Sequence, residues 1–128
     1  MTQAAVHILV VDDDVLIRKT LKLYLESAGH RVSLASNGLE AVAGLDQVMP
    51  DVIVLDLFMP DMDGFETLRQ VNHAGRRARI LAISGGGSAA HCDFLDMASK
   101  LGADGVLKKP FTAPQLAAAI EALLQVPR

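Results

Sequence analysis

Two four-residue aliphatic runs constrain this chain more than any other feature. They are Ile-Leu-Val-Val at 8–11 and Val-Ile-Val-Leu at 52–55, each cut off by an aspartate, Asp12 and Asp56. A strand with one wet face alternates apolar and polar residues, so an unbroken run predicts a strand covered on both faces. Such cover requires helices above and below, and strands joined through helices run parallel.

The rest of the chain keeps that rhythm. Ile17, Leu21, Tyr24, Leu25 and Ala28 recur at spacings of three and four, which predicts a helix from Asp14 to Ala28 with Gly29 as its stop. A short strand at 32–35 follows, then a helix capped by Ser36 or Asn37 and running to about Gln47, with Leu39, Val42, Ala43 and Leu45 as its apolar positions. Beyond the run at 52–55 lies a turn-rich stretch at 59–64, then a helix carrying Phe65, Leu68 and Val71. Ile-Leu-Ala-Ile at 80–83 reads as a fourth strand ending at Ser84, followed by glycines 85, 86 and 87. Phe94, Leu95, Met97, Ala98 and Leu101 predict a fourth helix closed by Gly102, and Val106 and Leu107 a short fifth strand before Lys108, Lys109 and Pro110. Thr112-Ala-Pro-Gln115 has the form of a capping box with proline just inside the start of a last helix that buries Leu116, Ile120, Leu123 and Leu124.

Five successive strand–helix units predict one α/β domain over residues 1–128, with its core at about 6–126 and no output domain. Composition agrees: 51% hydrophobic and 21% charged residues exclude a disordered chain, and one cysteine excludes an internal disulfide. The N-terminus lacks a basic segment ahead of its apolar run, and no run approaches the roughly 20 residues that span a bilayer. A cytoplasmic protein with no membrane association is expected. Net charge −3 and a pI near 5.7 give no electrostatic footprint for nucleic acid. The charge is uneven. Residues 1–66 hold 11 acids and 4 bases, net −7, whereas residues 67–128 hold 4 and 8, net +4.

In parallel sheets with helices on both faces, ligands bind beyond the carboxyl ends of the strands. Asp12 and Asp13, Asp56, Ser84 and Lys109 all fall at such ends and should converge. Carboxylates at close range repel by roughly 4 kcal/mol per pair at an effective dielectric near 20. A hard divalent ion such as Mg2+ offsets this with oxygen ligands, a lysine adds a point charge, and a serine hydroxyl can donate to an oxyanion. Together these groups describe phosphoryl transfer to an aspartate.

The segments ILVVDDD (8–14), DVIVLDLFMPDMDG (51–64), ILAIS (80–84) and GADGVLKKPF (102–111), each at a strand end and in this order, resemble the receiver domain of two-component response regulators. The resemblance implies a flavodoxin-like fold with a five-stranded parallel sheet, order 2-1-3-4-5, and five helices on both faces. It implies that Asp56 is the phosphoacceptor, that Asp12, Asp13, Asp56 and the backbone carbonyl of Phe58 hold Mg2+, and that Ser84 and Lys109 engage the phosphoryl group. Pro110 matches the family proline preceded by a cis bond. The implied donor is a sensor histidine kinase or a histidine phosphotransfer protein. The implied output is a switched face around helices four and five that binds a downstream protein target. The domain would be a monomer or weak dimer, and no enzyme in the ordinary sense: it catalyses only its own phosphotransfer and slow dephosphorylation.

Two positions depart from the family pattern. Val106 stands where a Tyr or Phe often turns inward on activation, and Gly-Gly-Gly follows Ser84 in place of the common alanine start. Phe58, two residues past the acceptor, is also expected to hinder an in-line attacking water, against Gly86, which opens the other side. Other functions fit less well. A haloacid dehalogenase-type phosphatase needs Asp12 and Asp14 as its pair and an acidic cluster late in the chain, where only Glu121 follows Asp104. A dinucleotide binder needs a glycine fingerprint in the first turn. A pseudo-receiver that never takes phosphate, and a phosphate relay or sink, remain alternatives. Asp14 is expected to cap a helix or to be an acid of its first turn, Asp61 and Asp63 to serve the turn and the start of the third helix, Lys108 to be a solvated neighbour of Lys109, and Arg76, Arg77 and Arg79 to form a solvated loop before the fourth strand. His7, His30, His73, His91 and Cys92 are scattered and read as structural, and the five methionines as gap-fillers.

Overall fold

A computed structural model describes residues 5–59, 62–73, 78–84 and 91–125. In chain order the elements are β1 (His7–Val11), α1 (Val15–Ser27), β2 (Arg31–Ala35), α2 (Gly38–Val48), β3 (Val52–Asp56), β4 (Phe58–Met59), β5 (Met62–Asp63), α3 (Gly64–His73), β6 (Arg79–Ser84), α4 (His91–Lys100), β7 (Gly105–Lys108) and α5 (Ala113–Gln125). The main sheet is all parallel in the order β2-β1-β3-β6-β7. Counting only its own strands along the chain, that is 2-1-3-4-5, as the resemblance implies.

The aliphatic runs are continuous because each strand serves two cores. Leu9, Val11, Ile53, Leu55, Ile80 and Ala82 face one way, against Ala41 of α2, Leu68 and Val71 of α3 and Ala98 of α4. Their sequence neighbours Ile8, Val10, Val52, Val54, Leu81 and Ile83 face the other, against Leu21 and Leu25 of α1 and Leu116, Ile120 and Leu123 of α5. Side chains alternate across a strand, so a single run fills both layers. Each fully buried Leu or Ile contributes about 1.5–3 kcal/mol relative to exposure.

Local chemistry sets the helix ends. The Asp14 side chain accepts from the N–H groups of Leu16 and Ile17, confirming it as the α1 cap. Asn37, rather than Ser36, caps α2 through the Glu40 N–H. At the end of α1 the Gly29 and His30 N–H groups donate to the Glu26 and Leu25 carbonyls, and at the end of α4 those of Gly102 and Ala103 donate to Ser99 and Ala98. This closure needs a left-handed residue, which glycine supplies at φ +98° and +117°. Thr112 and Gln115 exchange the two hydrogen bonds of the expected capping box.

The structure also differs from the sequence reading. Leu39, at 68% exposure, and Ala43 point outward, and α2 buries Gly38 and Ala41 instead. Ala28 and Met97 are likewise exposed. The turn-rich stretch contains a two-stranded antiparallel ribbon pairing Phe58 with Asp63 and Met59 with Met62. No helix among the described residues is long and apolar enough to cross a membrane.

Candidate functional site

The register of the sheet assembles the site. Val11 lies beside Leu55, so Asp12, one residue past β1, reaches the level of Asp56 at the end of β3. Asp56 in turn lies beside Ile83, next to Ser84, the last residue of β6. Ser84 pairs with Lys108, and the Lys109 N–H donates to the Ser84 carbonyl at 2.8 Å. Four residues spread over nearly a hundred positions of chain therefore meet at one edge.

Carboxylate oxygens of Asp12, Asp13 and Asp56 all lie within 4.8 Å of one another. Lys109 Nζ stands 3.6 Å from Asp12 Oδ2 and 3.6 Å from Asp56 Oδ2. Asp12 and Asp56 are buried, at 3% and 6% exposure, and Ser84 is fully buried, whereas Asp13 is half-buried. Burial of like charges at this spacing is costly unless they are paired, and one ammonium does not match three carboxylates. A hard cation with oxygen ligands fits the surplus. Mg2+ suits a site that offers a few carboxylates and leaves room for water and a phosphate oxygen.

Backbone contacts hold Asp12 in place. Its Oδ1 accepts from the Asp14 N–H at 2.9 Å, and its own N–H donates to the Ala35 carbonyl of β2. One contact was not legible in the sequence: Arg18 Nη1 donates to the Asp12 carbonyl at 2.6 Å. The available signal was a basic residue in the first helical turns after the acidic pair, a feature shared by most solvated helices.

The sequence expectations fare unevenly. Asp12, Asp13, Asp56 and Lys109 converge, Ser84 sits beside them, and the Lys109–Pro110 bond is cis. Val106 is 37% exposed on β7, so no aromatic ring occupies that position. Lys108 is exposed, as expected of a solvated neighbour. Phe58 belongs to β4, two residues past Asp56, but its side chain lies outside the described residues, as do Asp61, Arg76, Arg77, Gly85, Gly86, Gly87 and the side chains of Asp63, His73, His91 and Cys92. The two remaining histidines are structural: His7 Nε2 lies 2.7 Å from Ser33 Oγ, and buried His30 accepts from the Val6 N–H through Nδ1.

Residues 8–121 match the family described as response regulator receiver domain. The response regulator MprA of Mycobacterium ulcerans (strain Agy99) is 39% identical over 122 residues, covering 94% of this chain and 51% of that protein. The chain thus spans about half the length of the curated relatives it matches. Among solved structures, the chemotaxis protein CheY4 of Vibrio cholerae is similar with a TM-score of 0.84 and 31% identity, over 94% of this chain and 99% of that one. FixJ-N is similar with a TM-score of 0.83 and 30% identity, over 98% of each. Sheet order, the edge where the acidic residues meet and the match over 8–121 agree: this chain belongs to the response regulator receiver domain family.

Proposed function

We propose that this receiver domain takes a phosphoryl group onto Asp56 from a phosphohistidine of a sensor kinase or phosphotransfer protein, and that the modified form binds a downstream protein. The observation that carries this reading is the placement of Lys109 at 3.6 Å from both Asp12 and Asp56 within the three-carboxylate cluster. Asp56 is the acceptor because it alone combines a strand terminus with proximity to Lys109 and to the acidic pair. One of its carboxylate oxygens forms the bond to phosphorus as the P–N bond of the donor breaks. The donor imidazole keeps the electron pair and takes up a proton from solvent.

Asp12, Asp13, Asp56 and the Phe58 carbonyl are the groups that would hold Mg2+, which when bound would neutralise the carboxylates and the oxygens of the arriving group. Lys109 orients the phosphoryl oxygens with its ammonium, and Ser84 donates its hydroxyl to one of them. A group of roughly −2 charge draws both side chains toward Asp56 and resets the loops beside α4 and α5. The chain acts on no separate substrate: it catalyses its own phosphorylation and slow hydrolysis. We place this exchange in the cytoplasm, where ATP-charged kinases and Mg2+ meet it.

Incubation with acetyl phosphate and Mg2+ tests the assignment. One hydroxylamine-labile phosphoryl group is expected on the intact chain and none on Asp56→Asn. Labelling that persists in Asp56→Asn would overturn it.

A further inference from the structure

The cluster presents a mechanical problem. Asp12 and Asp13 lie on the short turn between β1 and α1, and their carboxylates must stay close to Asp56 although like charges push them apart. Among the described residues, three hydrogen bonds hold Asp12 itself. The Asp12 N–H donates to the Ala35 carbonyl, the Asp14 N–H donates to Asp12 Oδ1, and Arg18 Nη1 donates to the Asp12 carbonyl at 2.6 Å. The first is backbone to backbone, and the second is accepted by the Asp12 carboxylate itself. The third depends on a side chain outside the turn, that of Arg18.

We infer that Arg18 is a positioning residue for the metal and phosphoryl site, holding the turn that presents Asp12 and Asp13 through its hydrogen bond to the Asp12 carbonyl. This rests on the reading of Asp12, Asp13 and Asp56 as a metal-dependent phosphoacceptor site. The Asp12 carbonyl lies past the last ladder bond of β1 and before the first carbonyl used by α1, since Asp14 is the first to accept from a helical N–H, that of Arg18. Among the described residues no backbone N–H reaches it. Arg18 stands on the second turn of α1, and helical side chains lean toward the N-terminus, so its guanidinium points back over the turn. A charged donor to a buried carbonyl is about twice as strong as a neutral one. The guanidinium also brings a fixed positive charge next to the acidic turn without competing for a carboxylate oxygen that a cation would use.

Arg18 is half-buried, and its field also reaches Glu40 at the start of α2, where it adds to the effect of Ser36 in holding that carboxyl below the usual carboxylate range. Outer contacts of this kind typically change metal affinity about 10–100-fold when removed.

The test uses Arg18→Met, which keeps the apolar stem but removes donor and charge, and Arg18→Lys, which keeps one donor and the charge. Mg2+ is titrated against amide shifts of the β1–α1 turn, thermal midpoints are measured without metal, and acetyl phosphate labelling is followed at saturating Mg2+. Arg18→Met should bind Mg2+ about tenfold more weakly, with Arg18→Lys recovering much of the loss. At saturating Mg2+ the labelling of Arg18→Met should approach that of the unmodified chain. Unchanged Mg2+ affinity in Arg18→Met, or an equal loss in Arg18→Lys and Arg18→Met, would overturn the inference. So would a loss that appears only in the metal-free thermal midpoint. Failure of the unmodified chain to take phosphate would instead strike at the proposed function, and the Mg2+ titrations would still report on Arg18.

Discussion

Aspartates occupy both ends of the parallel sheet, and the two ends use them in opposite ways. At the amino edge they are spread out and stitch neighbouring strands. Asp51 accepts from the His7 N–H at 2.9 Å through its side chain, while its backbone exchanges bonds with His7 and Arg79. Asp104 accepts from the Ile80 N–H at 2.8 Å, and its own N–H donates to the Ile80 carbonyl. At the carboxyl edge Asp12, Asp13 and Asp56 are gathered within 4.8 Å. Dispersed carboxylates with backbone donors stabilise the fold; crowded ones store repulsion that a bound cation can relieve. Stability and function are thus assigned to opposite ends of the same strands, so one substitution, Asp to Asn or Ala, should have opposite consequences at the two edges.

The largest effect separates the edges by chemistry. Asp56→Asn should abolish acetyl phosphate labelling, while Asp51→Asn should label at the rate of the unmodified chain, both followed by intact mass. Loss of labelling in Asp51→Asn would erase the distinction.

A second contrast concerns metal. Mg2+ at about 100 times its dissociation constant should stabilise the unmodified chain by roughly 2.7 kcal/mol, or about 10 °C in Tm for a domain of this size. Asp13→Ala should lose most of that shift, yet melt at a higher temperature than the unmodified chain when metal is absent, because one repelling charge is gone. A lower metal-free midpoint would show that the carboxyl edge is not under repulsion. Asp104→Ala should do the reverse, losing about 1.5–3 kcal/mol with and without Mg2+, as expected when a backbone N–H loses a charged acceptor.

The smallest expected effect lies at the rim. The Glu40 carboxyl is held below the usual carboxylate range chiefly by the Ser36 N–H, with the Ser36 hydroxyl second. A lowered folded pKa means a stabilisation fully present above the ordinary carboxylate pKa and lost as pH falls through the lowered value. Glu40→Gln should therefore cost at most about 0.5 kcal/mol near neutrality, since water screens an exposed carboxylate, and nothing once the carboxyl is protonated. Denaturant melts at pH 7 and below pH 3 check the sign; a cost that grows in acid would contradict it.

What was legible in the sequence follows from the same asymmetry. Asp12, Asp56, Ser84 and Lys109 could be read because each sits where an aliphatic run stops, and parallel topology sends all such stops to one edge. Leu39 was misplaced because α2 packs through Gly38 and Ala41, whose small size lets the helix lie close while the larger leucine turns outward. The β4–β5 ribbon left no trace because strands of two residues carry no periodicity. Arg18 carries no mark in the sequence, because only its reach across the turn distinguishes it from any solvated helical arginine.

The Lys109 N–H bonded to the Ser84 carbonyl has its own consequence. On the proposed reading, the two residues that would address the phosphoryl group are joined by one backbone hydrogen bond at the ends of adjacent strands. The bond ties the two backbones, so a shift of one strand end is passed to the other. On that reading the two groups would report through one joined strand edge rather than separately.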